Sequence, residues 1–188
     1  VSSGGLLLIS GSLRRHSTNT AILRTAQTVA PAGTVAVLYE HLGDLPHFNA
    51  DDDTDQPPGS VVELRQAIRD ADAVLFSVPE YAGALPGSFK NLLDWTIGDD
   101  QSGSIYDKPV AWINASPRGA VNAHESLRKV LGYAHAALIE AACVDVPITA
   151  AMVGDDGVVA EASAQARISQ AIAVLVRHAS DPGRLPLN

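Results

Sequence analysis

The chain has one cysteine, one methionine and two tryptophans, and aromatic residues make up only 5% of its 188 positions. A single thiol, Cys143, excludes an internal disulfide and any metal site built from several cysteines. It lies in an apolar stretch and reads as a buried structural thiol, a usage that suits a reducing cytoplasm. Positive charge is also scarce: 13 Lys and Arg stand against 21 Asp and Glu, a formal net charge of -8. Nucleic-acid binding needs clustered cations, so no nucleic-acid partner is expected. No apolar run approaches membrane-spanning length, and the first residues lack the basic-then-apolar layout of a secretion signal. No membrane partner is expected either. G-x-x-x-x-G-K-[ST], G-x-G-x-x-G and G-x-S-x-G are all missing, and the 6 histidines include no H-x-x-x-H pair. These absences leave no metal ligand set and no catalytic nucleophile to assign.

What is present is a regular alternation. Apolar runs at Leu6–Ile9, Val35–Leu38, Ala73–Val78, Val110–Ile113 and roughly Leu138–Val146 read as strands covered on both faces. Helical spacing recurs between them: Ile22, Leu23, Ala26 and Val29; Val61, Leu64, Ile68 and Ala71; Phe89, Leu92, Leu93 and Ile97; Ala123, Leu127, Val130, Leu131 and Ala134; and Ile168, Ala171, Ile172, Leu175 and Ala179. Parallel crossovers need helices, so the pattern predicts an α/β fold with helices on both faces of a parallel sheet. Five strands match the flavodoxin-like, doubly wound order 2-1-3-4-5. We expect residues 1–180 to form one such domain and 181–188 a tail. The acidic connection Asp51–Gly59 reads as a solvated loop.

In such sheets ligands bind beyond the carboxyl ends of the strands, where the order reverses. The loop after the first strand runs Gly11-Ser12-Leu13-Arg14-Arg15-His16-Ser17-Thr18-Asn19. Its hydroxyls, its arginine and the helix start that follows suit a phosphate; a plain helix N-cap with solvated arginines is the other reading. The third strand leads into Pro79-Glu80-Tyr81-Ala82-Gly83, where Tyr81 either lies beside a planar ligand or covers part of the core. Trp95 falls off the apolar stripe of its helix, as a subunit-contact residue or as a Trp lying over its own domain. The fourth strand leads into Asn114-Ala115-Ser116-Pro117-Arg118-Gly119, another small polar loop before a helix.

Together these segments resemble the NADPH-dependent FMN reductase family, which includes quinone, azo-dye and chromate reductases. The matches are Gly11–Asn19, Leu45-Pro46-His47-Phe48-Asn49, Pro79–Trp95, Lys108-Pro109-Val110 and Ser116. The resemblance implies non-covalent FMN, with NADPH or NADH as co-substrate and a small-molecule electron acceptor. By position, Ser12, Arg14, Ser17, Thr18 and Asn19 would hold the phosphate. Pro79, Glu80, Tyr81, Ala82 and Gly83 would line the ring and ribityl side, with Ser116 and Gly119 approaching from the fourth loop. Homodimers or homotetramers are implied as well. Ala82 stands where the family usually has Asn, which removes one side-chain amide near the ring. A flavodoxin-type electron carrier, or an interaction protein that has lost its flavin, would share the fold.

Overall fold

The structure, a computed structural model, describes residues 4–180. The expected tail at 181–188 lies outside the described residues. β1 (Gly4–Ser10) occupies the middle of a parallel sheet between β2 (Thr34–Tyr39) and β3 (Ala73–Ser77). β4 (Pro109–Asn114) follows β3, and with β5 (Ala137–Leu138) the order is β2-β1-β3-β4-β5. Successive side chains of a strand point to opposite faces. Leu7 and Ile9 therefore join one core, while Leu6 and Leu8 join the other. Helices α2 (Gly59–Asp70), α3 (Gly87–Ile97) and α4 (Val121–Tyr133) bury their apolar faces in the first core. Helices α1 (Thr18–Val29) and α5 (Ala162–Ala179) close the second.

Two strands differ from the sequence expectation. β2 is an edge strand with one wall open, so Val35 and Val37 are each 55% exposed instead of covered. The fifth strand is split. β5 (Ala137–Leu138) pairs with the start of β4, and β6 (Val144–Asp145) pairs with its end. A 3-10 turn at Glu140–Ala142 separates the pieces and carries Glu140 to an ion pair with Arg128 of α4. The charged residue inside the apolar run thus reaches the surface, at the cost of ladder continuity.

Trp95 is a core residue, not an exposed contact. It is fully buried, its indole Nε1 donates to the Pro46 carbonyl at 2.9 Å, and Phe48 meets it edge-on with ring centroids 4.9 Å apart. Asn91 of the same helix donates to the same carbonyl and accepts from the Phe48 N–H at 2.7 Å. The segment Leu45–Asn49 is therefore bolted across α3, covering a face that a helical wheel leaves bare. Lys108 is likewise structural: its ammonium donates to the Ala71 carbonyl at the base of the sheet.

The acidic connection is not uniformly solvated. Asp53 accepts from Arg65 at 2.7 Å, with side chains only 14% and 8% exposed, and Arg65 Nε donates to the Trp95 carbonyl. A Cβ on Gly98 would collide with the Asp53 carboxylate. The pair anchors the loop before α2 to the end of α3. Removing one partner of such a pair strands the other charge in a poorly hydrated site. Asp53→Ala is expected to lose about 3–5 kcal/mol of stability in urea unfolding followed by tryptophan fluorescence; a loss below about 1 kcal/mol, the worth of a surface pair, would contradict the anchoring role.

Candidate functional site

Parallel strands present all their carboxyl ends at one rim, so the loops after β1, β3 and β4 converge there. Chain direction is reset at the end of β1 by Gly11, whose N–H donates to the Ser77 carbonyl at 2.8 Å. A Cβ at Gly11 would lie 2.8 Å from the Val78 side chain and 3.2 Å from Phe89, so only glycine lets the loop leave this close to β3. Ser17 caps α1, its hydroxyl accepting from the Asn19 N–H at 3.2 Å. The N-cap reading and the phosphate reading thus coexist, because the cap engages one backbone donor of the turn and leaves the helix dipole directed at the loop. Ser12 accepts from the Arg14 N–H at 3.3 Å, and Arg14 itself extends into solvent without an ion pair among the described residues.

Beneath the loop lies a buried relay. Ser77 Oγ bridges Asn19 Oδ1 at 3.0 Å and the Ile113 carbonyl at 2.8 Å. The single hydroxyl proton of Ser77 is shared between these two acceptors, and Asn19 keeps its amide NH2 group as a donor.

After β3, Tyr81 and Ala84 exchange backbone hydrogen bonds at 3.1 Å around a tight turn. Both central residues are left-handed, Ala82 with φ 50° and Gly83 with φ 71°. Gly83 accepts this freely. Ala82 does so under strain, where the Asn usual in the resembling family would sit more easily. Tyr81 is 44% exposed and does not cover the core. Glu80 has a role the sequence did not reveal: its carboxylate accepts the Ala123 N–H at 3.1 Å, capping α4 from a neighbouring loop.

The loop after β4 is shaped by Asn114. Its Oδ1 accepts from the Ser116 N–H at 3.0 Å, while its Nδ2 donates to the Gly119 carbonyl and to Asp145. Ala120 follows in a left-handed conformation, φ 46°, and its carbonyl accepts from Nδ1 of His124 at 2.8 Å. His124 is buried against Trp112, and its Nε2 has no partner among the described residues. Burial holds its pKa below the ordinary histidine value, against the smaller upward pull of the Ala120 bond, Asp145 and Glu80. Burial likewise pushes the Cys143 thiol up to about 11, which rules it out as a neutral-pH nucleophile.

These loops enclose a cleft of about 350 Å3. Ser12, Arg14, Ser17, Thr18, Asn19, Pro79, Glu80, Tyr81 and Ser116 line it, so nine of the twelve sequence candidates meet there. Ala82, Gly83 and Gly119 stand outside its wall. The first two form the turn tip beyond Tyr81, and Gly119 is drawn back by its bonds to Asn114 and Ser116. Pro117, Arg118 and Ala120 complete the lining. The signal for Ala120 was absent, since nothing in an alanine foretells a left-handed φ.

One side of this cleft carries hydroxyls and an arginine at a helix start; another is edged by an exposed tyrosine and two tight loops. On a β2-β1-β3-β4-β5 sheet, that combination defines a flavodoxin-like protein built to receive a mononucleotide carrying a planar ring. The comparisons agree: residues 5–150 match the NADPH-dependent FMN reductase family, and the chain belongs to that family. A quinone reductase of Pseudomonas putida is 32% identical over 142 residues, covering 74% of this chain and 73% of the relative. An NAD(P)H-dependent FMN reductase of Pseudomonas aeruginosa is 35% identical over 128 residues, 67% of this chain and 68% of that one. Among solved structures, the flavoenzyme NAD(P)H:(acceptor) oxidoreductase FerB of Paracoccus denitrificans superposes with a TM-score of 0.79 at 29% identity, covering 93% and 98% of the two chains. The chain is accordingly an FMN-dependent NAD(P)H oxidoreductase.

His124 gives the site a pH signature. Its folded pKa lies below its unfolded value, so the unfolded state takes up more protons as pH falls through and below 6.5. Its contribution to stability is complete above that value and is lost on acidification. The urea midpoint of the protein should therefore fall between pH 7 and pH 5 more steeply than that of His124→Asn, which keeps a donor for the Ala120 carbonyl. Equal slopes would remove His124 as the cause.

Proposed function

We propose that the protein passes electrons from NAD(P)H to a small acceptor of the quinone class, with free flavin, azo compounds and metal oxyanions as further acceptors. The quinone reductase among its relatives supports this choice. Bound FMN would supply the redox chemistry, taking reducing equivalents from the nicotinamide and returning them to the acceptor. The chain's own residues bind and orient. Ser12, Ser17 and Thr18 offer neutral donors to the phosphate, Asn19 its amide, and Arg14 a guanidinium. Pro79, Glu80 and Tyr81 would flank the ring and ribityl chain, with the Ala82–Gly83 and Gly119 backbone at its border. Ser116, held by Asn114, would aim a donor at the electron-rich ring edge. The observation that carries this reading is the convergence of three loops on one cleft open at its side. Nicotinamide and acceptor taking one flavin face in turn would give ping-pong kinetics with parallel double-reciprocal lines.

The family does not favour the electron-carrier and interaction-protein alternatives. The test is anaerobic. FMN-loaded protein mixed with NADPH or NADH should lose its yellow absorbance, and an added quinone should restore it. Protein that stays yellow with both nucleotides is a carrier, and protein that binds no FMN is neither. In the same assay Arg14→Ala should hold FMN less tightly by about 1.5–3 kcal/mol, the worth of a charged hydrogen bond; unchanged affinity would take Arg14 out of the phosphate site.

A homodimer or homotetramer is part of the same proposal. Supporting it are Val121, 60% exposed where α4 starts beside the cleft, and Tyr133, 76% exposed at the far end of the same helix. Light scattering should return a multiple of 19.6 kDa, and a monomer mass would sink it. The single unpaired thiol favours a cytoplasmic setting. Among the described residues, no helix is long and apolar enough to cross a membrane.

A further inference from the structure

An acidic protein that takes two anionic ligands must ration its cations, and their placement is informative. Arg24, Arg65, Arg69, Lys90 and Arg128 form ion pairs, and Lys108 is bound inside the fold. Arg14, Arg15, Arg118, Lys129, Arg167 and Arg177 form none among the described residues, and of these Arg14, Arg15 and Arg118 line clefts at the rim while the other three lie on α4 and α5. Arg14 and Arg118 line the cleft already described. Arg15 does not; it faces a second cleft of about 380 Å3 on the other side of the α1 start. The two clefts share Ser17 and Thr18, so one continuous surface runs from the flavin cleft into the second.

The second cleft is built, not incidental. Its far wall is the segment from Ala150 to Gly157. Buried Thr25 of α1 accepts the Val159 N–H at 2.9 Å and donates to the Ala21 carbonyl at 2.8 Å, and Gln165 of α5 donates to the Val159 carbonyl. Val153 and Val159 pair across the turn, and Gly157 lies against the aliphatic stem of Arg24. Arg15, His16 and Arg24 line this cleft together with Asp155. Arg24 also touches Glu40 at 3.3 Å, but both side chains are about half exposed or more, so that contact is weak and exchangeable.

We propose that this cleft is the adenosine 2′-phosphate subsite of the nicotinamide co-substrate, with Arg15 as the residue that favours NADPH over NADH. A phosphate monoester matches a guanidinium and a neighbouring imidazole, whereas a bare ribose hydroxyl gains nothing from them. Asp155 suits the adenine amino group or a ribose hydroxyl as an acceptor. Because the two clefts adjoin at Ser17 and Thr18, a dinucleotide whose nicotinamide reaches the bound flavin would set its adenosine end here, leaving Arg14 to the flavin phosphate. The proposal rests on the NAD(P)H-oxidising reading above.

Two measurements on FMN-loaded protein decide it. Steady-state kinetics with each nucleotide should show the ratio of kcat/KM for NADPH to that for NADH falling about tenfold or more in Arg15→Ala, with partial recovery in Arg15→Lys. Calorimetric binding of 2′,5′-ADP should weaken by a similar factor in Arg15→Ala, and that of 5′-AMP should not. Equal losses with both nucleotides, an unaltered ratio, or a selective loss caused by Arg118→Ala instead would overturn the assignment. Wild-type protein that oxidises neither nucleotide would refute the enzymatic reading itself, and the 2′,5′-ADP titration would still report on the cleft alone.

Discussion

One buried hydroxyl holds the rim of this sheet together. Ser77, at the end of β3, touches the side chain of Asn19 in the first turn of α1 and the carbonyl of Ile113 in β4. Its own carbonyl receives the N–H of Gly11 as the chain leaves β1. Three neighbouring elements are thereby fixed to one point, fully shielded from water. In a low-dielectric setting such bonds are strong when satisfied and costly when broken, so the relay sets the spacing of the loops above it. Everything that the cleft offers a ligand is mounted on that spacing.

The second layer of control is polar and lies between loops. Glu80 leaves the β3 loop to cap α4, Asn114 folds the β4 loop back on itself, and His124 secures the left-handed Ala120. Each contact joins segments far apart in sequence or enforces a backbone shape that local preference disfavours. The result is a rim with a braced backbone, on which Arg14, Tyr81 and Arg118 stand exposed while Ser12, Ser17 and Asn19 are buried. Such bracing suits a site that must hold a rigid planar cofactor and admit two different partners in succession.

Recognition motifs also divide by task. Five residues of the Gly11–Asn19 stretch line the cleft, whereas Leu45–Asn49 and the Asn91 and Trp95 positions interlock with one another and never reach it. Lys108 secures the base of the sheet. A family signature is therefore partly a scaffold signature, and only the geometry separates the two.

Strands, helices and the parallel order were legible in the sequence because each depends on local spacing: short continuous apolar runs for the strands, and apolar residues every three to four positions for the helices between them. The resemblance added the flavin, and nine of the residues it pointed to line one cleft. Tertiary structure alone decided the break between β5 and β6, the burial of Trp95 and Asp53, the exposure of Tyr81, the capping duty of Glu80 and the second cleft beside Arg15. Those outcomes turn on which distant segment arrives next to a side chain. Residue spacing along the chain carries no record of that, whereas the packed fold fixes it by excluding water on one side and leaving it on the other.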